Sequence, residues 1–379
     1  MILSCRYRLY PNKAQDAVLG DMLDNFCELY NCALAHRISA YAKGVAIRYN
    51  EQAAALPQIR RELPHQGRWS ATAQQQVLRR LDKSYAAFFG RVKRGAKAGF
   101  PRFRARARYH AADFRVGDGM TLRKSGKLGF VGVPGEVKVK WHRALPSVPK
   151  SAILSRNAGR WYIILHVDVA PVERASPDSV GLDLGLTSLV AFSTGETVAR
   201  PNITKRNARK LRVAQRALSR CKRRSKSRQK RKAAVAKLQA HIGNARRDNL
   251  HKLSAGIVAR FGRIAVEDLN IKGLAAGMLA KPVNDAAWSM LTNMLAYKAE
   301  RASCELVKVD PRGTSQRCPD CQAVAKKTLA EWTHRCRCGC TLDRDVAAAM
   351  VVVHQRAFGL PHGELHGACG GASSQRDAA

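Results

Sequence analysis

Three short segments set single acids on apolar ground: Val180-Gly181-Leu182-Asp183-Leu184-Gly185, Ile264-Ala265-Val266-Glu267-Asp268-Leu269-Asn270 and Leu342-Asp343-Arg344-Asp345-Val346-Ala347-Ala348. Carboxylates are the hard oxygen donors that Mg²⁺ takes. Three of them held close together would serve two-metal phosphodiester hydrolysis, in which one ion activates the attacking water and the other stabilises the leaving 3′ oxygen. Asp183, Glu267 and Asp345 are therefore the candidate catalytic residues and magnesium ligands. Asp183 alternates with Leu182 and Leu184, so on a strand it faces away from both. Glu267 ends an apolar strand, and Asp345 falls on the first turn of a helix. Each acid alone also reads as strand-end or cap chemistry, Asp343 above all as an N-cap. The set of three, in this order, is the specific signal.

Between the second and third acids lie Cys318-Pro319-Asp320-Cys321 and Cys336-Arg337-Cys338-Gly339-Cys340. Two such knuckles supply four thiolates for a closed tetrahedral zinc site, which leaves no open position for water and so reads as structural. Cys318, Cys321, Cys336 and Cys338 are the expected ligands, with His334 and Cys340 as possible substitutes. Cys5, Cys27, Cys32, Cys221, Cys304 and Cys369 show no such spacing and are expected to be unliganded.

Lys and Arg number 67 against 28 Asp and Glu, a formal charge of +39 over 379 residues. An excess of this size needs a polyanion to neutralise it, and nucleic acid fits better than a membrane surface because the basic residues run through most of the chain. No apolar run reaches membrane-spanning length and no signal-peptide pattern opens the chain, so a cytoplasmic protein is expected. Residues 93–108 interleave Phe100 and Phe103 with Arg102, Arg104, Arg106 and Arg108, a pattern suited to stacking bases and gripping phosphates. From Arg200 to Lys232, 16 of 33 residues are Lys or Arg and none is acidic. Arg216, Arg220, Arg223 and Arg224 are the phosphate-facing candidates there.

The elements that must position these residues follow from periodicity. Residues 1–10 alternate as a strand and stop at Pro11. Asn12 caps a helix from about Lys13 to Tyr41, and a second helix runs from Ala71 to about Val92. Residues 112–170 read as short strands with Gly and Pro turns, a small β-barrel or sheet. Residues 179–198 read as one hairpin turning at Gly195, 204–260 as a long helical region, 263–269 and 304–309 as strands, and 285–303 and 345–358 as helices. The tail 359–379 is expected to be disordered.

Taken together, these residues resemble TnpB, the RNA-guided nuclease family of insertion sequences and ancestor-like relative of type V CRISPR effectors. The resemblance is carried by Tyr7-Arg8-Leu9-Tyr10-Pro11, Gln15 and Tyr30-Asn31, by Ala87-Phe88-Phe89 and Gly99-Phe100-Pro101-Arg102-Phe103, and by three RuvC-like motifs around Asp183, Glu267 and Asp345 that frame the cysteines. It covers nearly the whole chain. It implies an α+β multidomain protein. A wedge-like β-barrel domain would take 1–11 and 96–172, with a helical recognition domain at 12–95 inserted. A RuvC-like, RNase H-like nuclease domain would take 173–310 and 341–358, with a zinc-binding insertion at 311–340. It further implies a guide RNA from the element's end, double-stranded target DNA and a short flanking motif. Within the recognition domain, Gln74, Gln75, Gln76 and Arg79 are the candidate base readers, since amides and guanidinium groups pair with base edges. The family follows its last aspartate with x-Asn-Ala-Ala, whereas this chain has Val346-Ala347-Ala348-Ala349. The function expected is an RNA-guided DNA endonuclease. An RNA-guided DNA-binding repressor with weak or no cleavage is the alternative, followed by a strand-transferring transposase.

Overall fold

In the computed structural model, β1 (Ile2–Tyr10) stops before Pro11 and Asn12 caps α1 (Lys13–Ala42). Asn12 Oδ1 accepts from the Gln15 N–H at 2.8 Å, and Gln15 Oε1 accepts from the Asn12 N–H at 3.1 Å, a reciprocal capping box. The Gln15 amide also donates to the carbonyls of Pro134 and Glu136. One side chain thus starts the helix and ties it to the sheet. The structure describes residues 1–172, 176–278, 280–325, 328 and 331–353. The expected tail, 359–379, and the end of the last expected helix lie outside them.

The chain divides into two units, Met1–Val169 and Ala170–Ala379. In the first, α1 is followed by α2 (Tyr49–Glu62), α3 (Pro64–Gly67) and α4 (Ala71–Lys93). Then come β2 (Ala111–Val116), β3 (Gly119–Leu122), β4 (Leu128–Phe130), β5 (Lys138–Lys140), β6 (Pro149–Asn157) and β7 (Arg160–Asp168). The sheet order is β4-β3-β2-β6-β7-β1-β5. An antiparallel bridge between Leu128 and Val137 joins its two edge strands, so the sheet curls into a barrel. Helices and sheet share one core that runs from Phe26, Leu34 and Leu78 to Phe114, Leu154 and Ile163. Helical periodicity does not mark α2, which carries Pro57 within it and buries only Gln52 and Leu56.

The second unit holds β8 (Ser179–Asp183), β9 (Ser188–Phe192) and β10 (Thr197–Ala199). Next come α5 (Ile203–Ser219), α6 (Lys226–Arg260) and β11 (Arg263–Glu267). They are followed by α7 (Ile271–Leu274), α8 (Ala280–Ala286), α9 (Trp288–Arg301) and β12 (Glu305–Val309). The small ribbon strands β13 (Thr333–Arg335) and β14 (Thr341–Asp343) lead into α10 (Arg344–Val351). The main sheet runs β10-β9-β8-β11-β12, with the first three antiparallel and β8, β11 and β12 parallel.

Two expectations change here. Residues 179–198 form a three-stranded meander, because the chain already turns at Leu184–Thr187 and turns again at Gly195, where φ is +91°. The region 204–260 is two helices. Arg224 adopts φ +64°, and Ser225 Oγ accepts from the Arg228 N–H at 3.1 Å to cap α6. Arg228 in turn donates to the carbonyls of Leu218 and Cys221 at the end of α5. Among the described residues no helix is long and apolar enough to cross a membrane.

The two faces of the main sheet differ in kind. Val180, Leu182, Ile264 and Val266 pack against Leu250 and Ile257 of α6 and Leu291 and Leu295 of α9. The opposite face carries Gly181 and Ala265, and α10 lies on it. A Cβ added to Gly181 would sit 1.9 Å from the carbonyl oxygen of Ala349, so only glycine admits the helix at this distance. Replacing Gly181 by Ala should therefore destabilise the protein by about 1–3 kcal/mol through overpacking. Gly243→Ala, within α6 and with nothing inside 4 Å of the new Cβ, should instead stabilise it by roughly 0.5–1 kcal/mol. Thermal melts of the two variants beside the parent check the opposed signs.

Candidate functional site

Asp183 is the last residue of β8 and Glu267 the last of β11. The parallel register pairs Val266 with Leu182, so the next step along sets Glu267 beside Asp183 on strands about 4.8 Å apart. Alternation puts Asp183 on the face of Gly181 and Glu267 on the face of Ala265, the side that α10 covers. Asp345 stands in the first turn of α10, four residues before the Ala349 that meets Gly181. A Cβ on Gly185 would come within 3.4 Å of Asp345 Oδ2. Two strand ends and one helix start thus bring together the three acids singled out in the sequence. Asp343 is the N-cap of α10, accepting from the N–H groups of Asp345 at 2.9 Å and Val346 at 3.2 Å.

The electrostatics are those of a site short of positive charge. Burial pushes the Asp183 carboxyl well above the usual carboxylate range, and the charges of Glu267 and Asp345 push it further, with Arg344 opposing. Burial also raises Glu267, against the hydrogen bond it accepts from Thr314. Arg344 lies 3.5 Å from Asp345 and stacks over the Trp332 ring at 4.9 Å. Sequence reasoning does not find Thr314. Its Oγ1 is 2.5 Å from Glu267 Oε1 and it is buried. The only sequence cue is its place just ahead of the first cysteine knuckle.

Cys318, Cys321, Cys336 and Cys338 bring their Sγ atoms within 4.8 Å of one another. The Cys318–Cys338 and Cys321–Cys336 pairs are 3.7 and 3.4 Å apart. Four thiolates around zinc at about 2.3 Å would have tetrahedral edges of roughly 3.8 Å, so the donor set fits that ion. The backbone N–H of Cys338 and the neighbouring Cys321 lower the Cys336 thiol to about 7. Cys318, His334 and Cys340 form a second group within the same limit, so the substitutes named from the sequence also converge on Cys318. Among the described residues, both groups that reach this spacing are in the cysteine-rich segment. The three acids are more loosely gathered.

The nucleic-acid candidates divide. Gln74 is fully buried, with its amide donating to Gln66 and its carbonyl accepting from Arg60 at 2.5 Å. It cannot present an edge to a base, which corrects the expectation for this residue: helical spacing turns Gln74 to the core beside Ala73 and Val77. On the same helix Arg80, next to the candidate Arg79, donates to Asp113 at 2.7 Å and to the Ala111 carbonyl. Gln75 and Gln76 are half-buried, and Arg79 is exposed, lying over the Tyr49 ring. Arg102 and Arg104 are exposed, and Asn31 brackets the Arg104 backbone with two hydrogen bonds of 2.8 Å. Arg216, Arg220, Arg223 and Arg224 are exposed at the turn of the α5–α6 hairpin.

Comparison with known proteins decides the family. A Streptomyces pristinaespiralis protein named "Putative RNA-guided DNA endonuclease" is 35% identical over 356 residues, covering 91% of this chain and 87% of that protein. The chain belongs to the TnpB family. A second relative, the Escherichia coli K12 protein named "Putative RNA-guided DNA endonuclease InsQ", is 29% identical over 95% of this chain and 94% of its own length. Family matches run along the TnpB chain: a helix-turn-helix domain over 1–45, "Probable transposase" (OrfB_IS605) over 162–277 and "Cas12f1-like, TNB domain" over 288–352. A chain of a solved Cas12f1–sgRNA–target DNA complex aligns over 94% of this chain and 99% of its own length at 15% identity, with a TM-score of 0.36.

Proposed function

We propose that this TnpB-family protein is an RNA-guided DNA endonuclease of a transposable element, cutting target DNA beside a short flanking motif. The convergence of Asp183, Glu267 and Asp345 at one end of the β8–β11 pair carries this reading. Three antiparallel strands followed by two parallel ones support an RNase H-like, RuvC-type nuclease domain at 173–310 and 341–358, interrupted by the zinc-binding insertion at 311–340. In the other half, 1–11 and 96–172 serve as a wedge-like barrel and 12–95 as the helical recognition element.

The three carboxylates hold Mg²⁺, and their crowding is the fit: Asp183 is pushed up by burial and by its two acidic neighbours, a cost that a cation relieves. When bound there, the ions supply an activated water and stabilise the leaving 3′ oxygen. The chain's own part is to aim the carboxylates, with Arg344 and Thr314 offsetting part of the burial and repulsion that favour their protonated forms. Cys318, Cys321, Cys336 and Cys338 hold one structural zinc. Guide RNA and target strand supply sequence by pairing, while the protein grips backbone and reads the flanking motif. Ala347, where the family carries asparagine, favours the second reading, an RNA-guided repressor with weak or no cleavage; guided cutting of a plasmid separates the two.

Asp183→Ala, Glu267→Ala and Asp345→Ala should each abolish guided cleavage and leave guided binding intact, read by gel shift. Because the folded-state pKa of Asp183 is raised, its proton must be lost before it can ligate a cation. Cleavage should therefore climb as pH rises through the acid range. By the same sign, a carboxyl whose folded pKa is raised costs stability above its unfolded pKa, so Asp183→Asn should melt higher than the metal-free parent at neutral pH. Robust cutting by any of the alanine variants would remove that residue from the site.

Elemental analysis should find about one zinc per chain, lost in Cys318→Ser together with solubility. Loss of metal in Cys340→Ser with retention in Cys338→Ser would reassign the second knuckle.

The exposed basic residues should act through phosphates and the recognition helix through bases. Neutralising Arg216, Arg220, Arg223 and Arg224 should weaken guide or heteroduplex binding for all sequences and flatten the salt slope by about 0.7–0.9 for each phosphate no longer neutralised. Arg102 and Arg104 belong to the same class. Alanine at Gln75, Gln76 or Arg79 should instead change the flanking motif chosen in a randomised-flank depletion assay, at about 1–3 kcal/mol for the preferred base. An unchanged salt slope and an unchanged motif would leave both surfaces as solvated helix faces.

A further inference from the structure

A buried threonine ties the cysteine-rich segment to the acid site. β12 ends at Val309, paired in register with Glu267. The chain then hooks back: Asp310 Oδ1 accepts from the Arg312 N–H at 3.0 Å, Gly313 adopts φ +77°, and a 3₁₀ turn spans Thr314–Gln316. This hook returns Thr314 to the end of β11, where its hydroxyl lies 2.5 Å from Glu267 Oε1 and 3.0 Å from the Pro311 carbonyl. The hydroxyl has one proton to give, and the shorter, charge-assisted contact to the carboxylate is the stronger acceptor. Threonine is also stiff at χ1, so the donor is fixed in space. Glutamate is not stiff; unheld, its carboxylate would be free to rotate.

The same residues open the zinc-ribbon segment. Past the turn, the Ala325 N–H donates to the Gln316 carbonyl at 3.0 Å and the Cys318 N–H to that of Ala323 at 2.9 Å. At its far end the ribbon passes into α10: Thr333 pairs with Asp343, and the Arg344 N–H donates to the Trp332 carbonyl at 2.9 Å. Two of the three acids therefore hang from the two ends of one ribbon, Glu267 through Thr314 and Asp345 through β14 and the Asp343 cap.

We propose that Thr314 is a positioning residue that fixes the Glu267 carboxylate, and that through it the ribbon sets the affinity of the acid site for a divalent cation. The proposal rests on the reading of Asp183, Glu267 and Asp345 as the catalytic set. With one oxygen of Glu267 held by Thr314, the carboxylate keeps one orientation at the end of β11, beside Asp183.

The test uses the full-length ribonucleoprotein with its copurifying RNA, and Mn²⁺ as the probe. Bound Mn²⁺ is read by electron paramagnetic resonance, and binding that survives in Asp183→Ala is subtracted as background. Thr314→Val should raise the half-saturating Mn²⁺ concentration about 10–100-fold, the range typical when a metal ligand's supporting hydrogen bond is removed. Thr314→Ser should stay with the parent, and zinc content should be unchanged in both. Parental Mn²⁺ affinity in Thr314→Val, or an equal loss in Thr314→Ser, would overturn the proposal. Should Thr314→Val release zinc or melt early, Thr314→Ser against Thr314→Cys decides instead: a hydroxyl must support binding where a thiol does not. Glu267→Gln separates the two levels. If it binds Mn²⁺ and cleaves like the parent, the catalytic reading itself falls; if it loses both while Thr314→Val loses neither, only the positioning role does.

Discussion

The approach of the α10 backbone to β8 governs the rest of the second unit. A side chain at Gly181 would collide with the Ala349 carbonyl, and Ala265 and Ala349 are both small and buried. Small residues let a helix lie close on a sheet without voids, at the density protein interiors require. The consequence is chemical. The helix begins next to the ends of β8 and β11, so the carboxylate in its first turn meets the two carboxylates that end those strands. Apolar bulk is kept to the other face, where α6 and α9 pack on Val180, Leu182, Ile264 and Val266. The sheet thus separates the work of stability from that of gathering charge.

Gathering three acids works against folding. Burial and mutual repulsion both disfavour the charged forms, and Asp183 bears most of the cost. The chain offsets part of it locally: the N-terminus of α10 offers its dipole to Asp345, Arg344 stands 3.5 Å away, and Thr314 donates to Glu267. The rest stays as an excess of negative charge at the strand ends. A chain of formal charge +39 could have paired these acids with lysine or arginine, but the described basic residues near them are few. The excess is exposed on the α5–α6 hairpin and on the strip from Arg102 to Arg108 instead. Uncompensated acid at the sheet and uncompensated base at the surface suit a polyanion gripped from outside and a small cation held within.

Much of this is legible in the sequence because the signals are local. Asn12 with Gln15 marks a helix start by chemistry that acts over three residues, and the cysteine spacing marks the segment in which four thiols converge. Strand alternation around Asp183 correctly places it opposite Leu182. What the sequence hides depends on distance along the chain. The glutamine run from 74 to 76 looks uniform, yet Gln74 faces the core because Gln66 and Arg60, eight and fourteen residues earlier, reach it. α2 escapes notice because Pro57 reads as a breaker and the helix buries little. The break at 220–225 is hidden in a basic run, although Ser225 carries the capping signal. Thr314 is marked only by its place ahead of the first cysteine knuckle, since its meaning depends on Glu267, 47 residues away.

The order of the acids sets where the chain must return to the sheet. Between Asp183 and Glu267 the chain leaves the sheet for the α5–α6 hairpin and returns as β11, in parallel register with β8. Between Glu267 and Asp345 it leaves again for the cysteine ribbon and returns as α10. The register of β11 on β8, together with the seat of Ala349 on Gly181, sets where each return ends. Arg246 with Asp285 at 2.6 Å ties the hairpin to α8, and Thr314 with the Asp343 cap anchors the ribbon. The ribbon is the more exacting of the two, because its closing contacts fall on the acids themselves. On the proposed role of Thr314, a metal held by the four cysteines would stiffen the acid site as well as the ribbon.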